Sequence, residues 1–224
     1  FTQRCQDATL REKIKEEIIF NLINDRGGND LKRVQFSRVS WDQSLEGKTL
    51  YDWTTREGIE PTIENGAELV IQAQLNGGAN CIFHAMADED VDRIMQHPKT
   101  MIASDGRLSQ PGNGHPHPRA YGTFPRVLGY YAREKQILPL KTAIYKMTGM
   151  PADRMGLSDR GYLREGYFAD ITIFDPATVA DQSTFETPHQ YPKGIEYVFV
   201  NGQKAVDAGN YLNKRDGRVL RKSR

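Results

Sequence analysis

The residues of this sequence that invite chemistry fall between positions 100 and 119. An apolar run, Thr100-Met101-Ile102-Ala103-Ser104, leads straight into Asp105 and Gly106. In parallel α/β sheets and barrels, sites collect at the carboxyl ends of strands. A carboxylate placed there, opening a long loop, suits general-base work or metal ligation. Asp105 can equally do no more than close a turn through its side chain, helped by Gly106. The loop goes on to His115-Pro116-His117-Pro118-Arg119. Neutral imidazoles are good zinc ligands, but two of them without a third donor nearby serve as well in a stiff polar loop. The prolines between them cannot donate to a strand ladder. Arg119 carries a planar fork suited to bidentate capture of a carboxylate, although a lone Arg is more often a surface charge.

The remaining histidines have plainer readings. His84 lies in an apolar strand and fits a satisfied core position; His97 ends a helix, where it favours the dipole; His189 sits among prolines and is expected at the surface. No glycine-rich phosphate loop, nucleophile elbow or helical metal pair is present.

The elements that must hold these residues follow from pattern. Leu10, Ile14, Ile18 and Leu22 share a face of a helix over 9–23, with Thr9 and Glu12 at capping-box spacing. Val34, Phe36 and Val39 predict a strand. Thr49 and Asp52 repeat the capping spacing, and Pro61 opens a helix that Asn76-Gly77-Gly78 closes. A short buried strand at 81–85, a helix from Asp88 with Val91, Ile94 and Met95 facing inward, and a strand at 100–104 predict a βαβ unit and hence a parallel sheet. Residues 107–119 form a loop of a length that is usually functional or disordered. Helical pattern returns through Phe124, Val127, Leu128 and Tyr131, and again through Leu140, Ala143, Ile144 and Met147, which Gly149 and Pro151 end. From Gly161 the character is β: a strand over 167–174, then Tyr197-Val198-Phe199-Val200 meeting Asn201-Gly202, a strong hairpin signal.

Composition narrows the classes. The 224 residues carry a formal net charge of +1 and are 38% hydrophobic, enough for one or two cores and no electrostatic reason to bind nucleic acid. The basic end, 214–224, reads as a solvated terminus. No apolar run approaches the roughly 18 residues of a membrane span. The first residues lack the apolar stretch of a signal peptide, and two distant cysteines, Cys5 and Cys81, suggest reduced thiols and a cytoplasmic setting.

Beyond single residues, three runs carry a resemblance. Residues 101–106 followed by 117–131 (His-Pro-Arg-Ala-Tyr-Gly-Thr-Phe-Pro-Arg-Val-Leu-Gly-Tyr-Tyr) resemble the signature of N-acyl-D-amino-acid deacylases of the amidohydrolase superfamily. So do 184–192 with 194–198. The run 159–171 contains Gly161-x-Leu163-x-x-Gly166-x-x-Ala169-Asp170, a pattern widespread in that superfamily.

The resemblance implies an α/β fold: the carboxy-terminal portion of a distorted (β/α)8 barrel followed by part of a small β-sandwich. Residues 1–160 would then be barrel with a lid-like insertion, and 161–224 sandwich strands. It implies zinc-dependent hydrolysis of N-acyl-D-amino acids. Asp105 would be both a metal ligand and the acid–base group, and Arg119 the grip on the substrate's carboxylate. The His-x-His pair and the middle-strand Cys and His ligands of such enzymes have no counterpart here, and His115 and His117 lie in the wrong loop to replace them. A whole barrel takes around 250 residues. The amino-terminal half is therefore expected as a separate or missing chain, and this chain alone is expected to be inactive. Other readings are an amidohydrolase acting on a cyclic amide and a non-catalytic subunit of such a complex.

Overall fold

The computed structural model describes residues 1–221; the last three residues of the basic end lie outside them. By contacts the chain falls into two compact units. One is Phe1–Asp88 with Ser109–His117, the other Glu89–Leu108 with the chain from Pro118 onward.

In the first unit a short helix α1 (Thr2–Gln6) leads into α2 (Ala8–Asp25), whose cap is Asp7 accepting from Leu10 N–H, not Thr9. Aspartate offers the same acceptor two residues earlier and takes the role. Of the expected inward face of α2, Leu22 is buried and Ile18 packs against the core, whereas Leu10 is exposed. Strand β1 (Val34–Arg38) presents Val34 and Phe36 to that core. Thr49 then caps α3 (Leu50–Arg56) with the full capping box to Asp52, as the spacing predicts. Thr62 caps α4 (Ile63–Leu75), which buries Ala67, Leu69 and Ile71. Trp53 is the largest fully buried side chain, stacked edge-on to Phe36, and burial of such a ring contributes on the order of 3 kcal/mol.

Strand β2 (Asn80–Phe83) departs from expectation. It pairs antiparallel with β1, Val34 opposite Phe83 and Phe36 opposite Cys81. Helix α5 (Asp88–Gln96) follows as predicted, with Val91 half-buried and Met95 packed inward, but Ile94 is exposed. Residues 100–104 form no strand. The βαβ unit is therefore not formed: β2 already has a partner, and the 100–104 segment finds no ladder among the described residues.

The second unit is built around Val127, Leu138 and Ala143 with Ile102 and Met147 against them. Helix α6 (Arg119–Arg126) runs on into a π-helix, Val127–Glu134. Pro125, which has no N–H to donate, stands just before that switch of hydrogen-bond pattern. Helix α7 (Leu140–Met147) ends just before Gly149, as the pattern predicts, yet a further helix α8 (Gly149–Met155) begins at that glycine. Pro151 lies in its first turn, where its missing N–H costs nothing. Gly149 is needed for another reason: a Cβ there would meet the Tyr162 ring at 2.7 Å.

The β end is an antiparallel meander of β3 (Ile171–Phe174), β4 (Ile195–Val200), β5 (Gln203–Asp207) and β6 (Asn210–Tyr211). Asn201 and Gly202, both at positive φ (49° and 80°), make the β4–β5 turn, as the pair predicts. Asp170 explains why an Ala-Asp pair precedes the sheet. Its carboxylate accepts from the buried Arg160 guanidinium and, at 2.7 Å, from the Asn201 N–H at the hairpin tip.

Two outcomes test these packings. Asp170→Ala should take the nearest carboxylate from Arg160, leaving it Asp159 Oδ1 at 3.5 Å and Asn201 Oδ1 at 3.3 Å, and lower stability by about 1.5–3 kcal/mol in denaturant titration; an unchanged midpoint would contradict the role of this contact. Burial pushes the Cys81 thiol up to about 11, so in the native protein Cys81 should resist alkylation at pH 8 and react as the pH nears that value. Rapid modification at pH 8 would contradict this.

Candidate functional site

With no ladder among the described residues, the 97–105 segment is held by other supports. Lys146, 2% exposed, donates from Nζ to the carbonyls of His97 (2.5 Å) and Thr100 (2.9 Å). Its own carbonyl accepts from Ile102 N–H at 3.0 Å. One residue of α7 thus braces the segment twice, and Ile102 adds an apolar anchor. Burial pushes the Lys146 ammonium below the usual lysine value, and the two carbonyls are what make a buried cation tolerable there.

Beyond that brace the backbone turns sharply. Asp105 has φ 47°, a conformation that aspartate tolerates better than most residues because its short side chain can bond locally. Gly106 lets the turn lie against the start of α6, since a Cβ on it would stand 3.0 Å from the Arg119 carbonyl and 3.2 Å from the Ala120 Cα. The result brings together the two residues singled out from sequence: an Arg119 guanidinium nitrogen lies 3.1 Å from Asp105 Oδ2.

Energetically this pair is slight. The Asp105 side chain is 88% exposed and that of Arg119 45%, so the contact contributes at most about 1 kcal/mol. Arg119 is also the first residue of α6, where a positive charge meets the positive end of the helix dipole. As an arrangement the pair offers an acceptor of protons and a fork for an anion within one ligand's length.

The histidines of the loop behave differently. His115 donates its backbone N–H to Ser37 O at 2.7 Å, and its ring lies so close to Gly47 that a Cβ there would meet Nδ1 at 2.7 Å. His117 closes the same unit. Among the described residues no group of three or more His, Cys, Asp or Glu side chains is placed to hold a metal. Asp105 is of the right type to be one oxygen donor, and among the described residues no second and third donor stand with it. His84 Nε2 lies 3.3 Å from Gln35 Oε1, in keeping with a satisfied histidine. His189 is not a free surface group: it is half-buried, with Nδ1 3.1 Å from the Tyr121 hydroxyl.

Sequence reasoning passed over Lys146. Its signal was available, because a lysine three residues from Ala143 and next to Met147 falls on the buried side of its helix. Lys146→Met should therefore loosen the 97–104 segment, seen as at least ten-fold faster hydrogen exchange at the Ile102 amide. Unchanged exchange there would show that the brace is not needed.

The family model described as "Amidohydrolase family" matches residues 52–206. The D-aminoacylase of Alcaligenes xylosoxydans xylosoxydans is 43% identical over 183 residues, covering 79% of this chain and 37% of that protein. A crystal structure of D-aminoacylase superposes with a TM-score of 0.74 at 39% identity, over 84% of this chain and 37% of that one. The N-acyl-D-glutamate deacylase of Bordetella bronchiseptica, solved with zinc and a phosphonate inhibitor that mimics the tetrahedral intermediate, gives 0.72 at 35% identity, over 85% and 38%. The chain thus spans little more than a third of the length of the proteins it matches.

Proposed function

The chain belongs to the amidohydrolase family, and on that premise we propose that it supplies the acid–base carboxylate and the substrate-carboxylate clamp of an N-acyl-D-amino-acid deacylase. The observation that carries this reading is the approach of Asp105 to Arg119 at 3.1 Å, in a chain whose relatives include a D-aminoacylase and an N-acyl-D-glutamate deacylase. In this reading residues 1–160 belong to the barrel with its lid-like insertion and 161–224 to the sandwich. The remaining metal donors come from residues outside this sequence, in an amino-terminal half of the same enzyme, and this chain by itself does not turn over substrate.

The chemistry of the two residues follows from their types. Arg119 presents two parallel N–H donors to the α-carboxylate, which fixes the amide beside Asp105. The exposed Asp105–Arg119 pair opens at a cost of about 1 kcal/mol or less, so the incoming carboxylate replaces Asp105 on the fork and frees it. Asp105 then takes a proton from the attacking water and delivers it to the amide nitrogen as the C–N bond breaks, leaving a carboxylic acid and a free D-amino acid. A bound zinc, with Asp105 among its donors, would polarise the scissile carbonyl and lower the pKa of water.

In the intact metal-loaded enzyme, Arg119→Lys should raise KM about 10- to 100-fold with kcat little changed, since lysine keeps the charge but loses the fork. Asp105→Asn should lower kcat about 10²- to 10⁴-fold with most of the metal retained. Wild-type kinetics in either variant, assayed on N-acyl-D-amino acids, would sink the corresponding role.

A further inference from the structure

Arg119 is as well placed as α6 allows, and α6 is short, with no side-chain cap at its amino end. What holds it is the segment 179–191. Val179, fully buried, puts its carbonyl where a Cβ on Gly129 would stand 2.5 Å away, and Asp181 does the same to Gly122, Cβ to Cβ at 2.8 Å. Asp181 also pairs with Arg126 at 3.1 Å. Nearest to Arg119, the Tyr121 hydroxyl meets His189 Nδ1 at 3.1 Å, and the Tyr121 ring packs edge-on against both His189 (5.8 Å) and Tyr191 (5.6 Å).

The far side of this contact is firm. Buried Ser183 donates from Oγ to the Pro188 carbonyl at 2.6 Å, and Gln190 donates from its backbone to the same carbonyl at 2.9 Å. His189 is thus held in a loop tied on both sides. Tyr121 lies two residues beyond Arg119, about 200° around the helix. Its anchored side and the fork of Arg119 therefore face in nearly opposite directions, so fixing one aims the other. The amides of Tyr121 and Gly122 both donate to the Pro118 carbonyl at 3.0 Å, which makes this first turn the unit that the clamp steadies.

We propose that Tyr121 and His189 are positioning residues for the substrate's carboxylate: their contact clamps the first turn of α6 and so sets the direction of the Arg119 fork. This rests on the reading of Arg119 as the carboxylate clamp. A fork misplaced by a fraction of an ångström loses one of its two hydrogen bonds to the anion, while the acid–base group, on a separate segment, keeps its place. The signature is a defect in binding the anionic end of the substrate without a matching defect in the chemical step.

The test uses the intact, metal-loaded enzyme with Tyr121→Phe, His189→Ala, their combination, and His189→Asn, whose amide offers an acceptor or a donor near the place of Nδ1. KM and kcat are measured on an N-acyl-D-amino acid, and amide exchange is followed at Tyr121 and Gly122. Each disruptive variant should raise KM about ten-fold with kcat within two-fold, and the double variant should be no worse than either single one. His189→Asn should recover most of the loss, and exchange at both amides should quicken at least ten-fold in His189→Ala. A fall in kcat at constant KM, additive single effects or unchanged exchange would overturn the proposal. If the wild-type enzyme hydrolyses no N-acyl-D-amino acid, the functional reading fails by itself; the exchange experiment still decides whether His189 clamps α6.

Discussion

The carbonyls of His97 and Thr100 both end on one buried ammonium, that of Lys146. An extended segment in a sheet is normally held by its neighbours on either side, every N–H and C=O paired along the ladder. The 100–104 segment has no such neighbours among the described residues, and a lysine side chain and its own backbone carbonyl take their place. The location of Asp105 depends on that substitution. Without the brace, a carboxylate at φ 47° on a loop would have no reason to stand beside Arg119 rather than in any of many other conformations.

From there the arrangement is a matter of two anchored ends meeting. One is the braced segment with Asp105 at its tip; the other is the first turn of α6, pinned from behind by 179–191. Small residues make the approach possible: Gly106 where the turn touches α6, and Gly122 and Gly129 where residues 179–181 lie against α6 and the π-helix that continues it. The contact between the ends is weak because it is exposed, and the proposed role asks for a pair that parts when an anion arrives. Stability resides elsewhere, in the Trp53 core of one unit and the Val127–Leu138–Ala143 core of the other.

Local physics was legible in the sequence. The Thr49–Asp52 capping box and the Asn201-Gly202 turn form as their spacing dictates, because each is settled by residues within a turn of one another. Asp105 and Arg119 could be singled out by position and type, and the structure joins them. The parallel βαβ unit could not be foreseen correctly, since an apolar run of five residues says nothing about which strand will pair with it, and β2 pairs with β1. Helix α8 was hidden by a glycine and a proline that read as a stop but occupy a first turn. The Tyr121–His189 contact spans 68 residues, a distance over which no periodicity or spacing carries information, and His189 alone gave only the look of a surface residue.

In the proposed reaction Arg119 receives the substrate's carboxylate while Asp105 turns to the reacting group. A crystal structure of the intact metal-loaded enzyme with a phosphonate analogue of an N-acyl-D-amino acid tests it most directly. Two hydrogen bonds are expected from the Arg119 fork to the analogue's carboxylate, with Asp105 released from Arg119 and within hydrogen-bond reach of the phosphonyl group. An analogue whose carboxylate rests on other residues, with the Asp105–Arg119 pair still closed, would contradict it.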